Sequence, residues 1–388
     1  MSQTTSLTLP GIQAALRLAG LPPARSSPFA DLSPPTGIDQ GVLSTLRGKN
    51  VVNGQGEVTD AWREVLATLA SPGYRVWLYL GSADRWEAID YYSRAGDLIG
   101  YASTGTEHLV TFPCSIDTLS EGLGRWLGWH EMPDGPQFEA DLDAQELVAL
   151  ASVVDAHREE SVRAFLDRRQ PDVSRFTHDQ LVYELETGAH TGDPRWLVGI
   201  LQRHAPTSFQ PSASSLDGGA AALAARGWLT LDGTDAVVSR DLAAIAAAMG
   251  VVNPYAVLSV APMDADGSLM LTMRAMQSFW TVDFFADQNQ QAWVRLQGLG
   301  GAELRSHVRE ALAILPKPAP DPAAWTAPLE MPVPVPPVTA HAPPVHAPAA
   351  RESRPTLSTT SRERTCTKCG KPLLPGRKFC TGCGTPVG

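Results

Sequence analysis

Residues 43–80 read LSTLRGKNVVNGQGEVTDAWREVLATLASPGYRVWLYL, and a related order of features returns in residues 223–260 as LAARGWLTLDGTDAVVSRDLAAIAAAMGVVNPYAVLSV. One constant offset lays Leu43 on Leu223, Val58 on Val238, Thr59 on Ser239, Val65 on Ile245, Leu69 on Met249, Val76 on Ala256 and Leu78 on Leu258. Each stretch has a short helix end, a glycine-marked turn, a polar cap, an amphipathic helix and an alternating strand. Thr59 and Ser239 are expected N-caps, because their hydroxyls can accept early helix amides. Tyr74–Leu80, YRVWLYL, is rich in aromatic and branched residues and predicts a strand. Identity between the stretches is slight, so a chance coincidence of two common element orders competes with duplication.

Working outward, strands are predicted near 87–92, 97–103 and 108–112 in the first half. Their counterparts fall near 268–273, 279–283 and 292–296 in the second. Each half then closes on a helix, 116–127 and 303–315. Strand runs without intervening helices point to antiparallel sheets and an α+β class. Between the halves, 141–168 reads as a helix, with Leu147, Leu150, Val154, Val162 and Leu166 near helical spacing; packing between the halves is the favoured reading and a partner surface the competing one. Helices are also expected over 177–186 and 196–204. The domain expectation is therefore a first α+β half at 1–135, a helical connector at 136–205 and a second α+β half at 206–315.

The chain has 388 residues and a formal charge of −10, with 43% hydrophobic residues, enough to build sizeable cores. Residues 316–350 contain twelve prolines in 35 positions. Proline fixes φ and removes a donor, so 316–360 is expected to be a proline-rich flexible linker before a small module at 361–388. Residues 351–388 hold eight basic and two acidic residues, a net of +6, which leaves −16 on the rest of the chain. That acidity argues against a body that coats nucleic acid. No run approaches the ~18 apolar residues of a membrane span, so no membrane association is expected. The opening MSQTTSLTLPGIQAALRLAG lacks a basic stretch ahead of an apolar run and does not read as a signal peptide. Cytoplasmic residence is the resulting expectation.

Four of the five cysteines crowd together near the C-terminal end, as Cys366-Thr-Lys-Cys369-Gly and Cys380-Thr-Gly-Cys383-Gly. The two-residue gap between paired thiolates lets both sulfurs face one ion, and four thiolates close a tetrahedron around Zn²⁺. Cys366, Cys369, Cys380 and Cys383 are the expected ligands of one structural zinc. Iron on the same sulfurs and redox disulfides are the competing readings. A catalytic zinc is disfavoured, since four protein ligands leave no open position. With so little apolar material around it, chiefly Leu374 and Phe379, the module draws much of its folding energy from the metal. The motif resembles the zinc ribbons found at the ends of many bacterial proteins. Those ribbons bind protein, RNA or DNA, or only add structure. Lys368, Lys371, Arg377 and Lys378 make this copy basic, which leaves nucleic acid open as a partner of the tail.

No constellation in the body reads as an active site. Cys114 has no identifiable histidine and acid partner, and the histidines have no ligand-like spacing. Gly298-Leu-Gly-Gly301 lacks the surroundings of a dinucleotide fingerprint, and Met263–Gly267 reads as a turn between strands. Phe279, Trp280, Phe284 and Phe285 read as sheet packing, with a partner patch as the competing reading. Through residues 43–80 and 223–260, the two-part body resembles the cytosolic chaperones associated with type VII (ESX) secretion. The resemblance implies a non-enzymatic protein that binds helical protein partners; no binding motif transfers residue by residue. The function expected is a cytoplasmic adaptor or chaperone-like protein whose partner is another protein. A nucleic-acid-associated regulator acting through the basic ribbon, or an enzyme with a dispersed site, are the alternatives.

Overall fold

A computed structural model describes residues 2–315, apart from 33–36, 83, 95, 133, 137, 210, 251–253, 266, 276–277 and 287–290. In the first half the order is β1 (Gln3–Thr8), α1 (Leu9–Ala19), α2 (Gln40–Gly48), α3 (Asp60–Ala70), β2 (Tyr74–Gly81), β3 (Trp86–Ser93), β4 (Leu98–Ser103), β5 (Glu107–Cys114) and α4 (Ile116–Leu127). There follow β6 (Phe138–Asp143), α5 (Ala144–Leu166), β7 (Arg175–Thr177), α6 (His178–Thr191), α7 (Leu197–His204), α8 (Ala213–Ala225), β8 (Leu229–Asp232) and β9 (Asp235–Val238). The last described elements are α9 (Arg240–Met249), β10 (Tyr255–Pro262), β11 (Ser268–Arg274), β12 (Phe279–Ala286), β13 (Ala292–Leu299) and α10 (Gly301–Leu312).

The mixed helical and antiparallel architecture is the expected α+β class. Ten strands form one sheet in the order β1-β5-β4-β3-β2-β10-β11-β12-β13-β6. The order reads alike from both edges: an outer strand, a four-stranded meander, then the join. At that join β2 and β10 run antiparallel, with Leu78 opposite Leu258. A second sheet, β7-β9-β8, is small. Its β8–β9 hairpin stands where the first half has only an isolated bridge between Val52 and Val58.

Period-two alternation assigns the two faces of the large sheet. Val76, Leu78 and Leu80 join Ala256, Leu258 and Val260 on one face, beneath Leu119, Leu123 and Leu127 of α4 and Leu304, Val308 and Leu312 of α10. Arg305 reaches Glu121 at 2.6 Å and Arg309 reaches Asp117 at 3.0 Å, tying α10 to α4 along their rims. The first-half core on the opposite face is built by α1, α2 and α3, with Ile12, Leu46, Trp62 and Leu66 meeting Tyr92, Ile99 and Val110. The second-half core gathers α5 to α9 over β10–β13.

Ser239 caps α9 as predicted, its hydroxyl accepting from the Leu242 amide at 3.2 Å. Thr59 differs: it occupies the cap position of α3 without a side-chain cap bond. Its hydroxyl instead donates to the carbonyls of Asn50 and Val51, fixing the loop before the helix. Residues 136–205 do more than connect. They supply β6 at the sheet edge, and then α5, most of which is buried in the same core as β10–β13. A helix apolar almost all round has to be enclosed, and α8 and α9 enclose it. Gly219 permits the approach: a Cβ there would lie 1.9 Å from the Gln145 carbonyl oxygen of α5. Among the described residues, no helix is long and apolar enough to cross a membrane.

Candidate partner-binding surface

The start of α5 is fixed by a capping box. Asp143 accepts from the amides of Gln145 and Glu146, and the Glu146 carboxylate accepts from the Asp143 amide. Glu146 also receives Arg226, the residue that ends α8, at 2.5 and 2.9 Å. The helix is buried on most sides as far as His157; beyond it only the face carrying Ala164 stays covered. In its last two turns Val162, Phe165 and Leu166 are 52%, 82% and 72% exposed. Residues spaced i, i+3 and i+4 share one side of a helix, so these three form a continuous apolar stripe. Sequence spacing alone puts Val162 and Leu166 on the packed side. That spacing does continue the buried face, but at this end of the helix the covered side is the one carrying Ala164, and Val162 and Leu166 are left exposed.

Beside the stripe lies α6, packed through Leu181, Leu185 and Gly188. A cavity of about 210 Å³ opens between the two helices and β7, lined among others by Glu159, Glu160, Arg163, Asp172, Tyr183 and Glu184. Its wall carries five carboxyl groups, with Asp179 the fifth, and two guanidiniums, Arg163 and Arg175. Arg163 bonds Glu159 at 2.5 Å. Arg175 is held by Asp235 and Asp232 at 2.9 and 3.3 Å. Glu160 organises the chain reversal after α5, accepting from Arg169 at 2.5 and 3.0 Å and from the Asp172 amide at 3.0 Å. The Arg169 contact draws the Glu160 pKa down to about 2.

Glu184 behaves in the opposite way. The Glu184 residue is 8% exposed, and its carboxyl hydrogen-bonds the Glu159 carboxyl across the helix pair. Burial, followed by that bond and the adjacent negative charge, holds its pKa far above the carboxylate range. Two carboxyl groups can bond to each other only if one carries a proton, so the pair retains a proton.

Other polar clusters are engaged in packing. Asp155 on α5 accepts from the amides of Leu197 and Val198 at 2.9 Å each and so caps α7, while burial lifts its pKa to about 7. At the sheet centre the Tyr255 ring covers Gly81, where a Cβ would fall 2.3 Å from the ring. His204 lies 3.4 Å from the Tyr255 hydroxyl, and Arg203 donates to the Tyr79 hydroxyl at 3.2 Å. Burial drives the His204 pKa down to about 3, so the ring is neutral and is enclosed by Trp77, Tyr79 and Tyr255.

Cys366, Cys369, Cys380 and Cys383, the four predicted metal ligands, lie outside the described residues, as do the proline-rich stretch and its histidines. Cys114 is buried, its thiol pKa raised by burial, and its sulfur bonds the Thr111 carbonyl. Among the described residues, no group of three or more His, Cys, Asp or Glu side chains is placed to hold a metal ion. Phe279, Trp280 and Phe284 pack within the sheet cores, whereas Phe285 is partly exposed beneath the Arg295 guanidinium.

Residues 365–387 match the zinc-ribbon domain family, and the four cysteines fall inside that span. No curated protein matches the chain. The chain is also similar to a solved structure of the Mycobacterium tuberculosis type VII secretion system chaperone EspG5 in complex with a PE25–PPE41 dimer. Identity is 12%, the match covers 82% of this chain and 98% of that one, and the TM-score is 0.42.

Proposed function

We propose that this chain is a non-enzymatic, chaperone-like adaptor that holds a protein partner on the α5–α6 face and carries a structural zinc ribbon. The observation that carries this reading is the apolar stripe of Val162, Phe165 and Leu166, left uncovered at the end of an otherwise buried helix. Exposed apolar side chains grouped on one element mark interaction sites more often than scattered ones do. In this reading Cys366, Cys369, Cys380 and Cys383 bind one Zn²⁺, residues 316–360 link the ribbon to the body, and the protein works in the cytoplasm. Linking two modules raises the effective concentration of the second once the first has bound.

Affinity purification of the full chain from its native cells, with mass spectrometry, tests the proposal. A protein recovered with the wild type should be lost with a Phe165→Ser, Leu166→Ser double variant that remains folded. Recovery of the same proteins with both forms would reject the α5 face as the site. A second reading, a nucleic-acid-associated regulator, draws on the +6 charge of residues 351–388. Salt-dependent DNA or RNA binding, abolished by charge reversal at Lys371, Arg377 and Lys378, would establish it.

A further inference from the structure

The carboxyl pair beside the stripe bears on what the partner must contain, an inference that rests on the adaptor reading above. Glu159 and Glu184 are held in contact by the packing of α5 on α6, in the wall of the cavity, with Glu184 buried. Arg163 meets Glu159 through Oε1. The surroundings are otherwise mostly acidic: Asp155 and Glu160 on α5, Asp179 on α6, and Asp172 before β7. Arg175, the second guanidinium at the cavity, is bound to Asp232 and Asp235. The free protein therefore keeps a proton where a cation would fit both oxygen sets better. Val162 lies about one helical turn from Glu159 along α5, and Leu166 about two.

We propose that the α5–α6 face recognises a basic amphipathic segment of the partner. Its apolar side chains cover Val162, Phe165 and Leu166, and one lysine or arginine enters the cavity between Glu159 and Glu184. The incoming cation replaces the shared proton, which passes to solvent, so both carboxyls become carboxylates and charge is conserved. A charge-assisted bond in a partly enclosed site is stronger than one at an open surface, which makes the pocket selective for a basic residue. An acidic residue at the same place would meet repulsion from several sides.

The test uses the full chain and a fluorescein-labelled synthetic helical peptide of about four turns, with leucines at i, i+3, i+4 and i+7 and lysines flanking them. Two control peptides carry norleucine or glutamate in place of lysine. The lysine peptide should bind about tenfold or more tightly than the norleucine peptide, the factor expected of one charge-assisted bond. Calorimetry near neutral pH in two buffers of different ionisation heat should show proton release on binding. Glu184→Gln preserves a hydrogen bond to Glu159 in the free protein but cannot become a carboxylate. It should lower lysine-peptide affinity by about tenfold and remove the proton release. Glu87→Gln, on distant β3, should change neither. Equal binding of lysine and norleucine peptides, with loss of both in the Phe165→Ser, Leu166→Ser variant, would overturn the cation site and leave the adaptor reading standing. Equal weakening by Glu184→Gln and Glu87→Gln would show general attraction to an acidic protein and overturn it too. Peptide binding indifferent to the stripe variant would reject both.

Discussion

Leu78 on β2 and Leu258 on β10 face each other across the centre of the ten-stranded sheet, although they come from opposite halves of the chain. The offset between them is the one that superposes the two halves in sequence. Val76 maps onto Ala256, whose strand partner is Leu80, and Leu80 maps onto Val260, whose partner is Val76. A local two-fold axis therefore passes between the two leucines. Both side chains are nearly fully buried beneath α4 and α10. Leu78→Ala and Leu258→Ala should each cost about 2–5 kcal/mol by urea denaturation. Because the two side chains are cross-strand partners in one core, the double variant should cost less than the sum.

Gly219 sets the separation of α8 from α5. Alanine is normally the better helix former by about 1 kcal/mol. Here the added methyl would meet the backbone of Gln145, which cannot rotate away. Gly219→Ala should therefore destabilise the protein, by about 2 kcal/mol or more, as expected for overpacking in a close helix contact. Thermal unfolding of the variant decides the sign.

Two histidines should shape the pH profile in opposite directions. His307 bonds Asp283 at 2.7 Å, and that bond raises its pKa above 6.5. Its stabilisation is complete below the unfolded value and is lost as pH rises through the folded value. His204 is buried with a pKa near 3, so the unfolded chain takes up a proton below about 6.5 that the folded protein refuses. Stability then falls from about pH 6.5 down toward 3. Melting temperatures between about pH 5 and 8.5 should lose part of the alkaline decline in His307→Gln and part of the acid decline in His204→Gln.

The ribbon should carry about one zinc per chain, the stoichiometry of a four-thiolate site. Elemental analysis of the full chain should show that zinc lost in Cys366→Ser and in Cys380→Ser, with the circular dichroism of the body unchanged. Full zinc content in both variants would remove these cysteines as ligands.

Much of the sheet is legible in the sequence because its central strands carry strong local signals. Tyr74–Leu80 is dense in aromatic and branched residues, and the glycine turns punctuate what precedes it. The outer strands are harder. Gln3–Thr8 is mostly polar, since an edge strand has little to bury. Phe138–Asp143 runs directly into α5, and its Asp141 and Leu142 fit the helix pattern that follows. Asp143 and Glu146, at capping-box spacing, are the signal that separates strand from helix. The four cysteines expected to bind zinc stand out without a fold, because their arrangement rests on spacing within a short span. The proposed binding face is not readable in the same way. Val162 and Leu166 repeat the periodicity of Leu147 and Val154, and only the placement of distant helices decides which of them is covered. Glu159 and Glu184 come from separate helices, so no local spacing announces their contact.

The join between β2 and β10 also imposes an order of events during synthesis. As the chain leaves the ribosome, β2 can pair with β3 at once, but its other edge has no partner until Tyr255–Pro262 emerges. Throughout the synthesis of everything between, a Leu- and Tyr-rich strand presents open backbone donors and acceptors. Such an edge can pair with the same strand of another nascent copy. The protein is thus most exposed to misassembly in the interval before its second half arrives, and slower translation of the second half should lower the yield of soluble chain.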